Sequence, residues 1–257
     1  MRRVVFNQKG GVGKSSITCN LAAVAASQGY RTLVIDLDAQ ANSSHYLTGL
    51  GNDDLPPGTA EFFRLSLEGG PAAKKNKVRI HHTPFDNLDM IVATPELADL
   101  QPKLEAKYKI NKLAKLLDSL DDDYDQIYLD TPPALNFYSV SALIGADRVL
   151  IPFDCDTFSR NALYGLITEI EDLKEDHNPK LEIEGIVVNQ YQPRASLPRQ
   201  MLEELIAEGL PILPVYLMSS VKMRESHQAS KPLMYLEPGH KLSQQFVELH
   251  NLLQKPH

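Results

Sequence analysis

The chain has 257 residues, 43% of them hydrophobic, which suits one large α/β domain, residues 1–257, with a sizeable core. A formal net charge of −7 excludes general attraction to nucleic acid, so any such binding needs a local basic face. No apolar run approaches a membrane span, no room precedes the first strand for a signal peptide, and two cysteines, Cys19 and Cys155, make no metal pattern and suggest a reducing compartment.

Residues 4–7 read as a first buried strand. Lys9-Gly10-Gly11-Val12-Gly13-Lys14-Ser15-Ser16 follows, and 15–28 reads as a helix. Strand, glycine cluster, Lys-Ser and helix in that order make a phosphate-binding loop. Its glycines let the backbone amides turn inward toward phosphate oxygens. Lys14 supplies charge for the β- and γ-phosphates, and the Ser15 hydroxyl is placed to hold Mg²⁺. Gln8 stands where the usual loop begins with glycine, and Gly10 and Gly11 offset the loss. Lys9 is a second lysine at the front of the loop. It is placed to reach the triphosphate of a facing subunit, where charge supplied in trans accelerates hydrolysis by roughly 10³–10⁵.

A second strand at 32–36 runs into Asp36-Leu37-Asp38-Ala39-Gln40. Alternation sets Asp36 and Asp38 on one side, and two carboxylates at the mouth of a phosphate site call for a cation. Asp36 is assigned to the Mg²⁺ shell and Asp38 to orienting the attacking water. Residues 49–86 are irregular, with a short helix at 59–67 and a lysine cluster, Lys74-Lys75-Asn76-Lys77, read as a solvated loop. Further strands are expected at 88–93, 126–130, 148–153, 183–189 and 213–217, and further helices at 109–120, 139–145, 159–175, 196–208 and 241–254. The alternation predicts a mostly parallel twisted sheet with helices on both faces, its ligand beyond the carboxyl ends of the strands. The fourth strand ends at Asp130-Thr131-Pro132-Pro133, which places Asp130 as the second carboxylate on the metal side.

These motifs resemble the ParA/MinD group of deviant Walker-type ATPases, most of all its ParA side. The resemblance rests on 7–16, on Asp36 through Asn42, on Asp130 through Pro133, and on Ile186-Val187-Val188-Asn189 with Arg194. It implies an ATP-bound homodimer with Mg²⁺, weak intrinsic hydrolysis, stimulation by a ParB-like or other adaptor protein, and non-specific binding of double-stranded DNA by the dimer. The function so implied is positioning or partitioning of DNA or a protein cargo, in a cytoplasmic protein of nucleoid or polar placement and not at a membrane.

Position by position, the resemblance makes Lys9 the signature lysine acting across the dimer. Gly10, Gly11, Val12, Gly13 and Lys14 become the phosphate cradle, Ser16 the contact for the α-phosphate, Asp38 the switch carboxylate and Asn189 the adenine contact. Ala39 replaces the family's proline, and Ser219 stands where an arginine is usual. Arg194, Arg199, Lys222 and Arg224 are the cations left to track DNA. No dedicated DNA-binding segment precedes the loop, as in the short ParA type. The apolar stripe Leu242, Phe246, Leu249 and Leu253 is expected to pack inside the protein, because its polar face lacks the cations of a membrane helix. The alternative is an ATP-dependent ligase or amidotransferase-like enzyme of the wider superfamily, for which no glutaminase segment is present. Iron–sulfur carrier relatives need interfacial cysteines that Cys19 and Cys155 do not supply.

Overall fold

The computed structural model describes residues 1–68, 78–155, 159–192 and 196–255. Among them seven strands form one sheet: β1 (Arg2–Val5), β2 (Thr32–Asp36), β3 (His81–His82), β4 (Leu88–Ile91), β5 (Gln126–Asp130), β6 (Arg148–Phe153) and β7 (Glu182–Val188). Their order is β3-β4-β2-β5-β1-β6-β7, and only the edge pair β3–β4 is antiparallel. Helices cover both faces, as the alternating pattern predicts.

The period of two along each strand divides the core. Val4, Leu33, Ile35 and Leu129 face α3 (Thr59–Glu68), α4 (Glu96–Ala106), α5 (Lys112–Asp118), α6 (Phe137–Gly145) and α7 (Ser159–His177). Val5, Val34, Tyr128 and Leu150 face α1 (Lys14–Ser27), α2 (Asn42–Thr48), α10 (Leu233–Leu236) and α11 (Lys241–Leu253). Leu205 of α8 (Ser196–Ala207) joins the first of these faces, and Met223 of α9 (Val221–Gln228) packs on the second. Leu242, Phe246, Leu249 and Leu253 are each at most 2% exposed, so the stripe of α11 is spent on the core. Each such side chain is worth about 1.5–3 kcal/mol when fully buried. Among the described residues no helix is long and apolar enough to cross a membrane.

Several elements differ from expectation: helices α2, α9 and α10 have no counterpart in the expected set, and four others depart as follows. Residues 213–217 do not form a strand. They run beside β7, with Leu213 and Leu217 donating to the Ile186 and Val188 carbonyls, but Pro211 and Pro214 lack donors and no ladder closes. Helix α4 contains Pro102, which hid it; its buried Leu97, Leu100 and Leu104 carry the helical spacing. Helix α5 begins at Lys112 rather than 109, and α6 begins two residues earlier than expected because Asn136 and Ser139 form a capping box. The lysine cluster at 74–77 lies outside the described residues.

Candidate functional site

Strand β1 leads directly into the glycine loop. Asn7 fixes the turn: its Oδ1 accepts from the Lys9 amide at 2.9 Å, and its Nδ2 donates to the Pro152 carbonyl at 2.7 Å. Gly13 caps α1 with φ 89°, a conformation that favours glycine, and a Cβ there would lie 2.3 Å from Asn189 Nδ2. That amide donates to the Val12 carbonyl at 2.9 Å, and Gln190 donates to the Gly11 carbonyl at 3.0 Å. The end of β7 therefore buttresses the loop from behind. Asn189, expected to face adenine, spends its amino group on the loop.

The two lysines are held differently. Lys14 is 7% exposed, and its Nζ donates to the Lys9 carbonyl at 3.1 Å. Burial lowers its pKa, against the opposing pull of Asp130 and Asp38. Lys9 Nζ pairs with Asp154 of its own chain at 3.0 Å. Asp154 follows directly on β6, which neighbours β1, so topology brings this pair together.

Strands β2 and β5 lie side by side in a register that sets Asp36 opposite Asp130. Both carboxylates are fully buried, and burial raises the pKa of each. The neighbouring charge adds to this: Asp130 acts on Asp36, and Asp38 on Asp130. Asp36, expected in the metal shell, has both oxygens engaged. Oδ1 accepts from the Asp38 amide at 3.0 Å, and Oδ2 from the amide and hydroxyl of Ser44 at 2.9 and 2.7 Å. It holds the loop that carries Asp38 and the start of α2. Asp130 is different. Its Oδ2 accepts from the Ser43 hydroxyl at 2.6 Å, while its buried Oδ1 has no partner. The nearby Ser15 hydroxyl favours its ionised form. A buried carboxylate oxygen without a donor, next to a serine on a phosphate loop, fits a hydrated Mg²⁺.

Asp38 is folded back by a bond from the Gln40 amide at 3.0 Å, and it lines a cavity of about 370 Å³. Gly10, Gly11, Gly13, Lys14, Ser15, Ser16, Gln40, Asn42, Pro133 and His227 complete that cavity. A second cavity of about 520 Å³ adjoins it, with Gly11, Gly13, Ser16, Asn189 and Gln190 on one side and Met218 through Val221 and Arg224 on the other. The glycine loop, Asp38 and Asn189 thus border two adjoining cavities at the carboxyl ends of the strands. Sequence reasoning missed His227, Gln190 and Asp154. Each joins the site only through tertiary contact, and none stands in a motif.

Of the four cations expected to track DNA, two carry acidic partners. Lys222 lies between Glu225 and Glu237 at 2.8 and 3.2 Å, and Arg199 pairs with Glu203 one turn along α8. Cations already paired with local acids gain less from a phosphate backbone. Arg224 borders the second cavity, and Arg194 lies outside the described residues.

A family model for the AAA domain matches residues 3–183. The chromosome partitioning protein ParA of Myxococcus xanthus is 31% identical over 98% of this chain and 87% of its own length. Among solved structures, cobyrinic acid a,c-diamide synthase from Mycobacterium smegmatis, with a bound ATP analogue and magnesium, is 25% identical. It superposes with a TM-score of 0.82 over 97% of this chain and 92% of that one. An ATP complex of McdA from Cyanothece shares the fold at a TM-score of 0.83 and 21% identity, over 100% and 97% of the two chains. The matched AAA region contains the phosphate loop, Asp38 and Asp130, and the ParA likeness runs nearly end to end: the chain belongs to the ParA/MinD family of phosphate-loop ATPases.

Proposed function

We propose that this chain binds ATP with Mg²⁺ at the loop of residues 9–16, pairs with a second copy while ATP is bound, and hydrolyses it slowly to release the pair. The cycle positions or partitions DNA or a protein cargo in the cytoplasm, at the nucleoid or a pole, under a ParB-like or other activating partner. The observation that carries this reading is the convergence of Lys14, Ser15 and Asp38 on one cavity, with the buried, unpartnered Asp130 oxygen on a carboxylate next to Ser15. Lys14 holds the β- and γ-phosphates, and Ser15 and Asp130 hold the metal. The metal's chemistry is to neutralise charge on the terminal phosphates. Asp38 orients a water in line with the γ-phosphorus; as the water oxygen bonds, the bond to the bridging oxygen breaks, that oxygen stays on ADP, and one water proton passes to an oxygen of the released phosphate. Lys9 leaves Asp154 for the partner's triphosphate, which ties the dimer to ATP rather than ADP. DNA, where it is the track, meets Arg224 before Arg199 and Lys222, which carry acidic neighbours.

Light scattering with Mg²⁺ and either ADP or a non-hydrolysable ATP analogue, beside phosphate release with ATP, tests this reading. The analogue is expected to give a dimer and ADP a monomer. Lys9→Ala is expected to stay monomeric, and Asp38→Ala to dimerise on ATP while losing at least about 10-fold in turnover. A protein that is monomeric under every condition overturns the switch. A second reading, an ATP-dependent synthase acting on a carboxylate, is favoured by the likeness to cobyrinic acid a,c-diamide synthase. It predicts turnover stimulated by carboxylate metabolites and an amide donor, but not by DNA or cargo protein.

A further inference from the structure

Nε2 of His227 lies 2.8 Å from the Ser16 hydroxyl. His227 sits in the last turn of α9 and lines the same cavity as Lys14 and Asp38. Its ring stacks on Tyr46 of α2, with centroids 4.0 Å apart and planes 20° from parallel. Tyr46 is itself fixed: its hydroxyl accepts from Asn20 Nδ2 at 3.1 Å and bonds Ser226. The imidazole is therefore held at both face and edge, facing the first turn of α1. Burial lowers its pKa, so near neutral pH it carries one N–H and one lone pair.

A serine hydroxyl has one proton to give. With Lys14 on the β- and γ-phosphates and Ser15 on the metal, Ser16 is the next group along α1, beside the α-phosphate. It donates there only if His227 does not take its proton. The geometry points to His227 as a positioning residue for nucleotide: Nε2–H donates to the Ser16 hydroxyl and aims that hydroxyl's proton at the α-phosphate of ATP or ADP. This rests on the nucleotide site argued under Proposed function. Because the α-phosphate is common to both nucleotides, the contact adds affinity without distinguishing ATP from ADP, unlike the contacts of Lys9 and Asp38.

The test measures ADP and ATP-analogue affinity, with Mg²⁺, for His227→Phe, His227→Gln, Ser16→Ala and the Ser16→Ala/His227→Phe pair. Phenylalanine keeps the stack on Tyr46 and removes the donor; glutamine restores a donor. His227→Phe is expected to weaken both nucleotides about 10-fold, the size of a hydrogen bond to a charged group, with the loss carried by KM rather than kcat. His227→Gln recovers most of it, and in the Ser16→Ala background His227→Phe costs less than about two-fold. Unchanged affinity in His227→Phe, equal losses in both backgrounds, or a loss for ATP alone overturns the assignment. If His227→Phe does not fold, Ser16→Ala must still weaken both nucleotides and His227→Gln must not; the opposite pattern overturns it. A wild-type protein that binds neither nucleotide refutes the nucleotide site itself. One that binds both and ignores His227 refutes only the positioning role.

Discussion

At the amino ends of the strands, Arg3 meets Glu184 through two bonds of 2.5 and 2.7 Å, and its third nitrogen donates to the Tyr128 hydroxyl at 3.2 Å. The Tyr128 hydroxyl donates to Gln126 Oε1 at 2.6 Å, and the Arg3 guanidinium stands 5.4 Å from the Tyr128 ring centre. At the carboxyl ends of the same sheet, Asp36 and Asp130 sit opposite each other with Asp38 nearby, and the one buried cation beside them, among the described residues, is a lysine whose ammonium turns to a backbone carbonyl. Both ends take charge out of water. The amino end supplies its own counter-charge; the carboxyl end leaves negative charge and an orphaned oxygen on a carboxylate next to Ser15 of the phosphate loop. A closed ion pair serves the fold, whereas an incompletely compensated one needs something from outside, and that marks the functional end.

The largest effect expected from breaking this contrast is at the amino end. Arg3→Met leaves Glu184 buried with, among the described residues, only Arg148 at 3.7 Å to answer it. A cost of about 3–5 kcal/mol is expected, read as a lower urea midpoint at unchanged slope. The double variant Arg3→Met/Glu184→Leu should recover most of that loss, because no unpaired charge remains. A double variant as unstable as the single one would mean that the cluster matters for shape rather than charge.

The same end carries a pH dependence. His250 of α11 is fully buried, edge-on to Tyr30 at 5.9 Å, and its Nδ1 has no partner. Burial, helped by the positive charge of Arg3, lowers its pKa to about 4. Above about pH 6.5 the ring is neutral folded or unfolded. Below that the unfolded chain takes a proton the folded one refuses, so stability falls between about pH 6.5 and 4. The difference amounts to about 3 kcal/mol. His250→Leu should flatten this slope in denaturation curves taken at intervals from pH 7 to 4. An unchanged slope would move the acid sensitivity elsewhere.

Much of the carboxyl end was legible in the sequence, because its parts are local: a glycine run after an apolar strand, and acids where apolar strands stop. The buried cluster at the amino end was not. Arg3 reads as one polar residue at a strand's start, and only the parallel register of β1, β6 and β7 brings Glu184 near it. His227 was hidden for the same reason, being 211 residues from Ser16. Proline misled in both directions. Pro102 concealed α4, while the apolar run at 213–217 masked the missing donors that keep it from pairing as a strand. The metal role given to Asp36 followed from its place at a strand end, but which oxygens are already engaged depends on Ser44, in a helix the sequence reading did not draw.

The smallest expected effect is the sharpest test of the contrast, because its sign should change with the ligand. Asp130→Asn keeps the size of the side chain and an oxygen for the Ser43 hydroxyl, yet removes one of the facing charges beside Asp36. Without nucleotide, and with metal chelated, the variant should be more stable than wild type by about 1–3 kcal/mol, since the burial that raises the Asp130 pKa acts only on a carboxylate. With ADP and Mg²⁺ added, the wild type should gain the full binding free energy and the variant less, so the order of melting temperatures reverses. Glu184→Gln offers the control at the other end. It too replaces a buried carboxylate with its amide, but it strands Arg3, so it should lower the melting temperature by the same amount with or without nucleotide. A reversal at Asp130 with none at Glu184 would identify the carboxyl end as the one that keeps its charge for a ligand. A loss of stability in Asp130→Asn without nucleotide would mean that Ser43, Ser15 and Lys14 already compensate that carboxylate, and the distinction between the two ends would fail.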